Sequence, residues 1–301
     1  MSDKPNINMK NIIVILALLL LPLSGYAQDE LLKELDSTAA PQTDYVSATF
    51  KATRVVTGQS IEQNKEGQLE FRISHRFGKL NSGVDNLWGL DQSNIYFDLQ
   101  YGVKDWLELG IGRTSFDKNL NGFAKLRLLR QSTGADAFPV SVSYLAGADL
   151  TTMPEDASRK NFLSSRFSYT HQIIIAKKIT NELSLQIAPT LIHRNLVPTA
   201  LDDNNLFAVG FGGRYKLSNR VSVNAEYYYV ARPTWNVPSD YKDPLSFGVD
   251  IETGGHVFQI ILSNSLGMVE KQFIGDTQGR WNKGDIHLGF NISRSFTIYG
   301  D

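Results

Sequence analysis

Histidine and serine are the residues of this chain best suited to acid–base or nucleophilic chemistry, because it has five His and no Cys. His75 and His171 have the parity of outward strand positions, His256 lies in a tight turn, and His287 points inward. Ser293 shares the inward face with His287, but the extended strand between them spans roughly 20 Å. This spacing supports neither a nucleophilic pair nor a set of metal ligands. We therefore predict no catalytic residues, no metal site, no cofactor and no enzymatic activity.

Charged residues that alternate with apolar ones are the second group with chemical potential. They share one parity, which would direct them to the interior of a closed sheet. The predicted lumen-facing charged residues are Arg72, Arg76, Asp98, Glu108, Lys125, Arg127, Arg166, Arg214, Glu226 and Asp250. Such walls can orient polar solutes in a water-filled lumen. The alternative is that the charges pair across a closed interior and fill it, as side chains do in smaller barrels.

The elements that would hold these side chains have a period of two. In residues 68–77 (QLEFRISHRF), Phe71 and Ile73 fall on one face and Arg72 falls on the other. A strand separates such residues by geometry, whereas a helix does not. The pattern recurs along the chain and, counted from Gln68, predicts twelve strands, which is an even number.

The connections between these strands alternate in length. The short ones are residues 103–106, 177–182, 216–220 and 253–256. The long and polar ones are residues 79–94, 148–164, 195–205, 232–244 and 267–284. Membrane barrels alternate short periplasmic turns with longer outer loops. The sequence therefore predicts an all-β protein, an antiparallel transmembrane β-barrel of about 12 strands that occupies residues 68–301.

The N-terminus has the three parts of a secretory signal peptide. Basic residues precede an apolar run at residues 12–23, and small residues lead to a cleavage site after Ala27. The run is shorter than the ~20 residues that a membrane-spanning helix needs. Translation could start at Met1 or at Met9, since both give a complete signal. We expect residues 1–27 to be removed on export to the outer membrane of a Gram-negative bacterium.

Residues 28–67 form a short N-terminal segment ahead of the predicted barrel. Within it, residues 45–56 (YVSATFKATRVV) have strand character, but a further barrel strand would make the count odd. We expect this segment to be periplasmic or a plug, packed at the periplasmic mouth or inside the lumen. The alternative is a thirteenth strand.

Four segments resemble one known family. They are residues 48–60 (ATFKATRVVTGQS), 73–83 (ISHRFGKLNSG), 128–134 (LLRQSTG) and 252–256 (ETGGH). In this order they are similar to signature segments of a family of bacterial outer-membrane β-barrel proteins of unknown function. The resemblance covers nearly the whole mature chain. It implies a barrel fold and an outer-membrane location, and it implies no activity.

Two functions remain open from the sequence. A polar, charged inward face favours a narrow, porin-like channel or transporter for small polar solutes. Inward charges of nearly balanced sign favour instead a non-conducting binding or scaffold barrel, which would engage a periplasmic protein through its loops or N-terminal segment. Either barrel would contact outer-membrane lipid. A nucleic-acid partner is excluded because 30 basic residues face 31 acidic ones.

Overall fold

The computed structural model of the protein describes residues 42–154, 162–197, 199, 201–232 and 240–299. The predicted signal peptide and residues 28–41 of the predicted N-terminal segment lie outside the described residues. The chain divides into a small unit, with described residues 42–44 and 134–136, and a large unit that contains the rest. All further description concerns the large unit unless stated.

Twelve antiparallel strands close into a barrel, which confirms the predicted fold and strand number. The strands are β1 (Gln68–Lys79), β2 (Ser93–Lys104), β3 (Leu107–Thr114), β4 (Asn119–Leu129), β5 (Ser141–Thr151), β6 (Phe167–Lys178), β7 (Leu183–Arg194), β8 (Asn205–Lys216), β9 (Val221–Ala231), β10 (Leu245–Thr253), β11 (His256–Ser263) and β12 (His287–Thr297). Each pairs with its neighbours along the chain, and β12 closes the ring against β1, where Asn291 lies opposite Ser74. The alternative of a thirteenth barrel strand is therefore wrong.

Side chains alternate between the two faces of the wall. On β2, Asp98 is 1% exposed, whereas its neighbours Phe97 and Leu99 are 42% and 44% exposed. The wall is thus apolar outside and polar inside, which is the reverse of a soluble sheet and typical of membrane barrels. Neighbouring strands pair along most of their length, which satisfies most of the backbone groups that would otherwise face lipid unpaired.

The connections differ at the two ends of the barrel. At the short-turn end, residues 254–255 join β10 to β11, and Gly254 and Gly255 have φ of 45° and 107°. Only glycine adopts such values without strain, which permits a two-residue hairpin. The long-loop end carries residues 80–92 and 264–286.

Short helices occur in these connections. The α-helix α1 spans Glu270–Gly275, and the 3₁₀ segments are Leu80–Ser82, Val84–Gly89, Phe116–Lys118, Leu163–Arg166 and Trp281–Lys283. Two three-residue strands, Thr43–Tyr45 and Ser132–Gly134, do not belong to the barrel sheet. Within the described residues, every helix is too short or too polar to cross a membrane.

Candidate functional site in the barrel interior

The interior of the barrel is occupied by two stretches of the chain itself. The first is the plug segment, residues 49–64, in which nearly every side chain is buried. The second is the inward loop, residues 264–277, which carries α1 between β11 and β12. The candidate site consists of these two stretches and the inward side chains of the strands around them.

The plug segment folds into a tight hairpin. Arg54 forms an isolated β-bridge with Gln59, and the Ser60 N–H donates to the Thr53 carbonyl at 2.9 Å. The Val55 N–H donates to the Gly58 carbonyl at 2.9 Å. The hairpin therefore satisfies part of its own backbone without joining the barrel ladder.

One side of the hairpin is apolar and packs against the wall. The cluster consists of Phe50, Val55, Val56 and Ile61 of the plug segment with Ile174, Ala176 and Ile261 of the strands. Burying this surface favours the inserted position, at roughly 25 cal/mol per Å² of apolar surface removed from water.

Glu226 of β9 holds the tip of the hairpin. Its carboxylate accepts backbone N–H groups from three consecutive residues, Val56 at 3.3 Å, Thr57 at 3.4 Å and Gly58 at 3.0 Å. Successive N–H groups that converge in this way form a concave anion site. Glu226 is only 4% exposed, so its charge has exchanged water for the plug backbone.

A polar network on β1 and β2 holds the first arm of the hairpin. The Thr53 hydroxyl donates to Glu70 at 2.8 Å and accepts a hydrogen bond from Arg72 at 2.9 Å. Arg72 also forms an ion pair with Asp98, and both side chains are buried. The two charges therefore neutralise each other inside the wall.

The second arm and the base of the plug segment bind to β3, β4 and β8. Glu108 accepts both the backbone N–H of Asn64 at 2.6 Å and its side-chain amide at 2.9 Å. Lys125 donates to the Glu62 carbonyl. Arg214 donates to the carbonyls of Ala48 at 3.1 Å and Thr49 at 3.2 Å. Wall charges thus bind the plug backbone rather than lining an open passage.

Two further inward charges bind mainly within the wall. Arg76 donates to the Asn291 side chain at 3.1 Å and to the Thr57 hydroxyl at 3.4 Å. Asp250 accepts from Gln259 at 2.9 Å. Both charged side chains are buried.

Arg127 and Arg166 occupy different positions from the other eight predicted residues. Arg127 is half-buried near the short-turn end of β4 and donates to the Asp105 carbonyl at 2.7 Å. Arg166 lies in the 3₁₀ segment that precedes β6, not on the strand, and donates to the Met153 carbonyl at 3.1 Å. The alternation of the strand does not continue into this segment, so the inward orientation predicted for Arg166 is wrong.

An ion pair joins the two inserted stretches. Arg54 of the plug segment lies 2.5 Å from the Glu270 carboxylate at the start of α1, and the two side chains are 2% and 5% exposed. Arg54 also donates to the Thr57 carbonyl at 3.2 Å. The plug segment and the inward loop therefore meet inside the barrel and fill it from opposite ends.

Apolar contacts hold the inward loop against the wall. The rings of Phe273 and Tyr228 pack edge to face with centroids 5.2 Å apart. Ile274 joins the same cluster, and Met268 and Val269 form another with Tyr96 of β2.

The expectation of a long polar outer loop at residues 267–284 is therefore wrong for much of its length. Residues 268–269 and 273–274 are apolar pairs within an otherwise polar stretch. These two apolar pairs are the sequence signal that the loop is buried. The sequence analysis did not use this signal, and it did not identify Glu270 as the partner of Arg54.

Two of the histidines make packing or hydrogen-bond contacts within the wall. His75 packs between the rings of Phe77 and Phe290 on the outward face. His287 is buried, with its Nδ1 2.8 Å from the Phe77 carbonyl oxygen. Among the described residues, no group of three or more His, Asp or Glu could hold a metal ion.

Comparisons with known proteins agree with this architecture. A family model described as a membrane-bound beta-barrel domain matches residues 50–296. The solved NanC porin has 9% identity and a TM-score of 0.48, with 76% of this chain and 98% of that chain covered. The KdgM porin has 6% identity and a TM-score of 0.45, with coverage of 77% and 99%.

The outer-membrane protein Omp33 of Acinetobacter baumannii has 9% identity and a TM-score of 0.43, with coverage of 78% and 100%. At these identities the similarity concerns the fold alone. No curated protein matches the sequence.

The closed wall, with its apolar exterior and filled interior, defines a membrane-bound β-barrel that carries an internal plug. Because the family model covers most of the chain, the protein belongs to the family of membrane-bound beta-barrel domains designated DUF5777.

Proposed function

We propose that the protein is a channel-like outer-membrane barrel for small polar solutes, which the plug segment and the inward loop hold closed in the conformation described. The observation that carries this proposal is the buried Arg54–Glu270 pair, at 2.5 Å, which joins the two inserted stretches across the interior. The polar inner wall supports passage of polar rather than apolar solutes once the plug is displaced.

The chemistry of the plug contacts supports a displaceable plug. Glu226, Glu108 and Arg214 bind the plug segment through backbone groups. Water can replace each of these hydrogen bonds, so that the net free energy lost per bond on opening is about 1.5–3 kcal/mol, the range for bonds to charged groups. An interior closed by apolar packing alone would have no such substitute.

Residues 1–27 would direct export and be cleaved after Ala27, as the basic, apolar and small-residue regions favour. Mass spectrometry of the protein isolated from outer membranes tests this step. We expect a mature N-terminus at Gln28, and a retained N-terminus at Met1 or Met9 would contradict it.

Conductance in planar bilayers tests the closed channel. The release variant combines Arg54→Ala with Glu270→Ala, because removing one partner alone would leave a buried unpaired charge. We expect rare, small openings for the unmodified protein and more frequent openings for the release variant. The control is Lys104→Ala, which removes the exposed Lys104–Glu66 pair at 2.6 Å.

A locked variant makes the test reversible. The chain has no Cys, and a Cβ on Gly248 would lie 3.4 Å from a methyl carbon of Val56. Val56→Cys with Gly248→Cys therefore places two sulfurs within disulfide reach. We expect the oxidised form to be silent, and reduction to restore the openings. A large, steady conductance in the oxidised form would contradict the proposal.

A binding or scaffold barrel is the second candidate. The apolar cluster of Val55, Val56 and Ile61 with the wall favours it, because water cannot replace apolar contacts and such packing supports a plug that is permanent. If the release variant stays silent while the plug segment becomes accessible to water-soluble labels, the second candidate replaces the first.

A further inference from the structure

A recess of about 400 Å³ opens on the outward face of the barrel, where β5 to β9 run side by side. The short side chains of Pro189 and Ala231 lie among the larger Leu191, Phe207 and Tyr229 and leave the wall concave. This volume is within the range of small-ligand sites, about 300–1,000 Å³. Its position on the outer surface places it against lipid.

Pro189 interrupts the seam between β6 and β7 at the floor of the recess. From the long-loop end, the two strands pair as far as Gln172 with Thr190, and they pair again from Ile175 with Ile187. The register would pair Ile173 with Pro189, but proline has no N–H to donate. The Ile173 carbonyl therefore lacks its ladder hydrogen bond, which is costly on a surface that faces lipid.

A polar pair lines the same recess. The Tyr144 hydroxyl lies 2.7 Å from His171 Nδ1, and both residues face outward. When the hydroxyl donates to Nδ1, the proton of the imidazole is on Nε2, which can donate to a ligand. Ionisable groups in a membrane wall are rare and mark functional sites.

The recess continues into a polar pocket at the long-loop end. This second cavity, of about 640 Å³, is lined by Asp203, Asn205 and Arg232. It shares Phe207 and Tyr229 with the recess. An apolar groove that ends in a polar pocket matches a membrane lipid. The acyl chain would lie in the groove, and the polar head would lie in the pocket at the rim.

We propose that this surface binds one acyl lipid that carries a hydroxyl group on its chain. A hydroxyl is the smallest group that satisfies both floor residues at once: it donates to the Ile173 carbonyl and accepts from His171. The apolar chain fills the recess beside Pro189, and the polar head lies at the rim pocket near Arg232.

A matched pair of probes tests the proposal, with the purified full-length protein in detergent. The probes are 12-hydroxyoctadecanoate and octadecanoate, which have the same head and chain length. A hydroxyl at C12 can span the three strand spacings between Ile173 and β9, about 14 Å. Calorimetry should give about thirtyfold tighter binding of the hydroxylated probe, as expected for two additional net hydrogen bonds of about 1 kcal/mol each.

Variants separate the chain contact from the hydroxyl contact. His171→Leu with Tyr144→Phe should lower the preference to about fivefold, the effect of the one remaining hydrogen bond, and keep the affinity for octadecanoate. Val209→Trp should fill the recess and weaken both probes. Val223→Trp, on an outward position of β9 that does not line the recess, is the control and should bind both probes as the unmodified protein does.

Pro189→Val provides a test that does not depend on filling the recess. It returns the missing N–H to the seam, so we expect the preference for the hydroxylated probe to fall. Equal affinity for both probes in the unmodified protein would overturn the proposal. A preference that the His171 and Tyr144 changes leave undiminished, or unaltered binding by Val209→Trp, would also overturn it.

Discussion

At the scale of single residues, Gly58 lies at the plug tip in close approach to the wall. A Cβ at this position would lie 2.3 Å from the Tyr228 hydroxyl oxygen and 3.2 Å from a carboxylate oxygen of Glu226. Tyr228 is itself 2% exposed and packs on Phe273 of the inward loop. One added methyl group would thus disturb both inserted stretches.

We predict that Gly58→Ala destabilises the protein by about 1–3 kcal/mol, the usual cost of overpacking. Tyr228→Phe removes the nearest atom and should recover a large part of that loss in the double variant. Urea unfolding followed by heat-modifiable gel mobility measures both. Gly122→Ala is the control, because its nearest non-neighbour atom would be 3.8 Å away. Additive effects of Gly58→Ala and Tyr228→Phe would show that the contact does not limit the plug.

At the scale of elements, the inward loop contains a group that titrates near neutrality. Asp276 follows α1, and burial raises its pKa to about 6, although Arg194, at 3.4 Å, lowers it in part. Lys271 and Arg232 also favour the charged form, whereas Asp117 opposes it. The folded state therefore holds this proton more tightly than the unfolded chain, where the pKa is about 3.9.

From this shift we expect the contribution of Asp276 to stability to fall as pH rises from about 4 to 6, because the unfolded chain loses the proton first. Asp276→Asn should flatten that part of the profile and raise the thermal midpoint at pH 7. Midpoints measured at intervals between pH 4 and 7.5 test this. The exposed change Asp85→Asn is the control, and an unaltered profile in Asp276→Asn would assign the dependence to other groups.

At the scale of the whole molecule, the closed wall and its filling are held by different interactions. The twelve strands form a ring of ladders in which the plug segment takes no part. Deleting residues 49–64 would expose Glu226, Glu108 and Arg214 to lumen water rather than leave them in a dry interior.

We therefore predict that the deletion variant still closes as a barrel and retains heat-modifiable mobility, with a lower urea midpoint because the apolar contacts of Val55, Val56 and Ile61 are lost. It should also conduct steadily in planar bilayers. Failure to form the compact, heat-modifiable species, in a chain that is exported normally, would mean that the plug is needed for closure.

The period of two was sufficient to predict the wall. The position of Asp98 between Phe97 and Leu99 reflects strand geometry, which places successive side chains on opposite faces whatever their partners. The strand count and its even number followed from the same local rule. The rule fails at Arg166, because side chains do not alternate between two faces in the 3₁₀ segment before β6.

Only the tertiary structure decided what fills the lumen. Arg54 and Glu270 are 216 positions apart, and neither has a neighbour in the chain that indicates the other. The charge of Glu226 is the same whether it meets water or the N–H groups of Val56, Thr57 and Gly58. Inward polarity is a property of each strand, but occupancy of the interior depends on which distant segments reach it. Local periodicity therefore determined the barrel, and long-range contacts determined which segments occupy its interior.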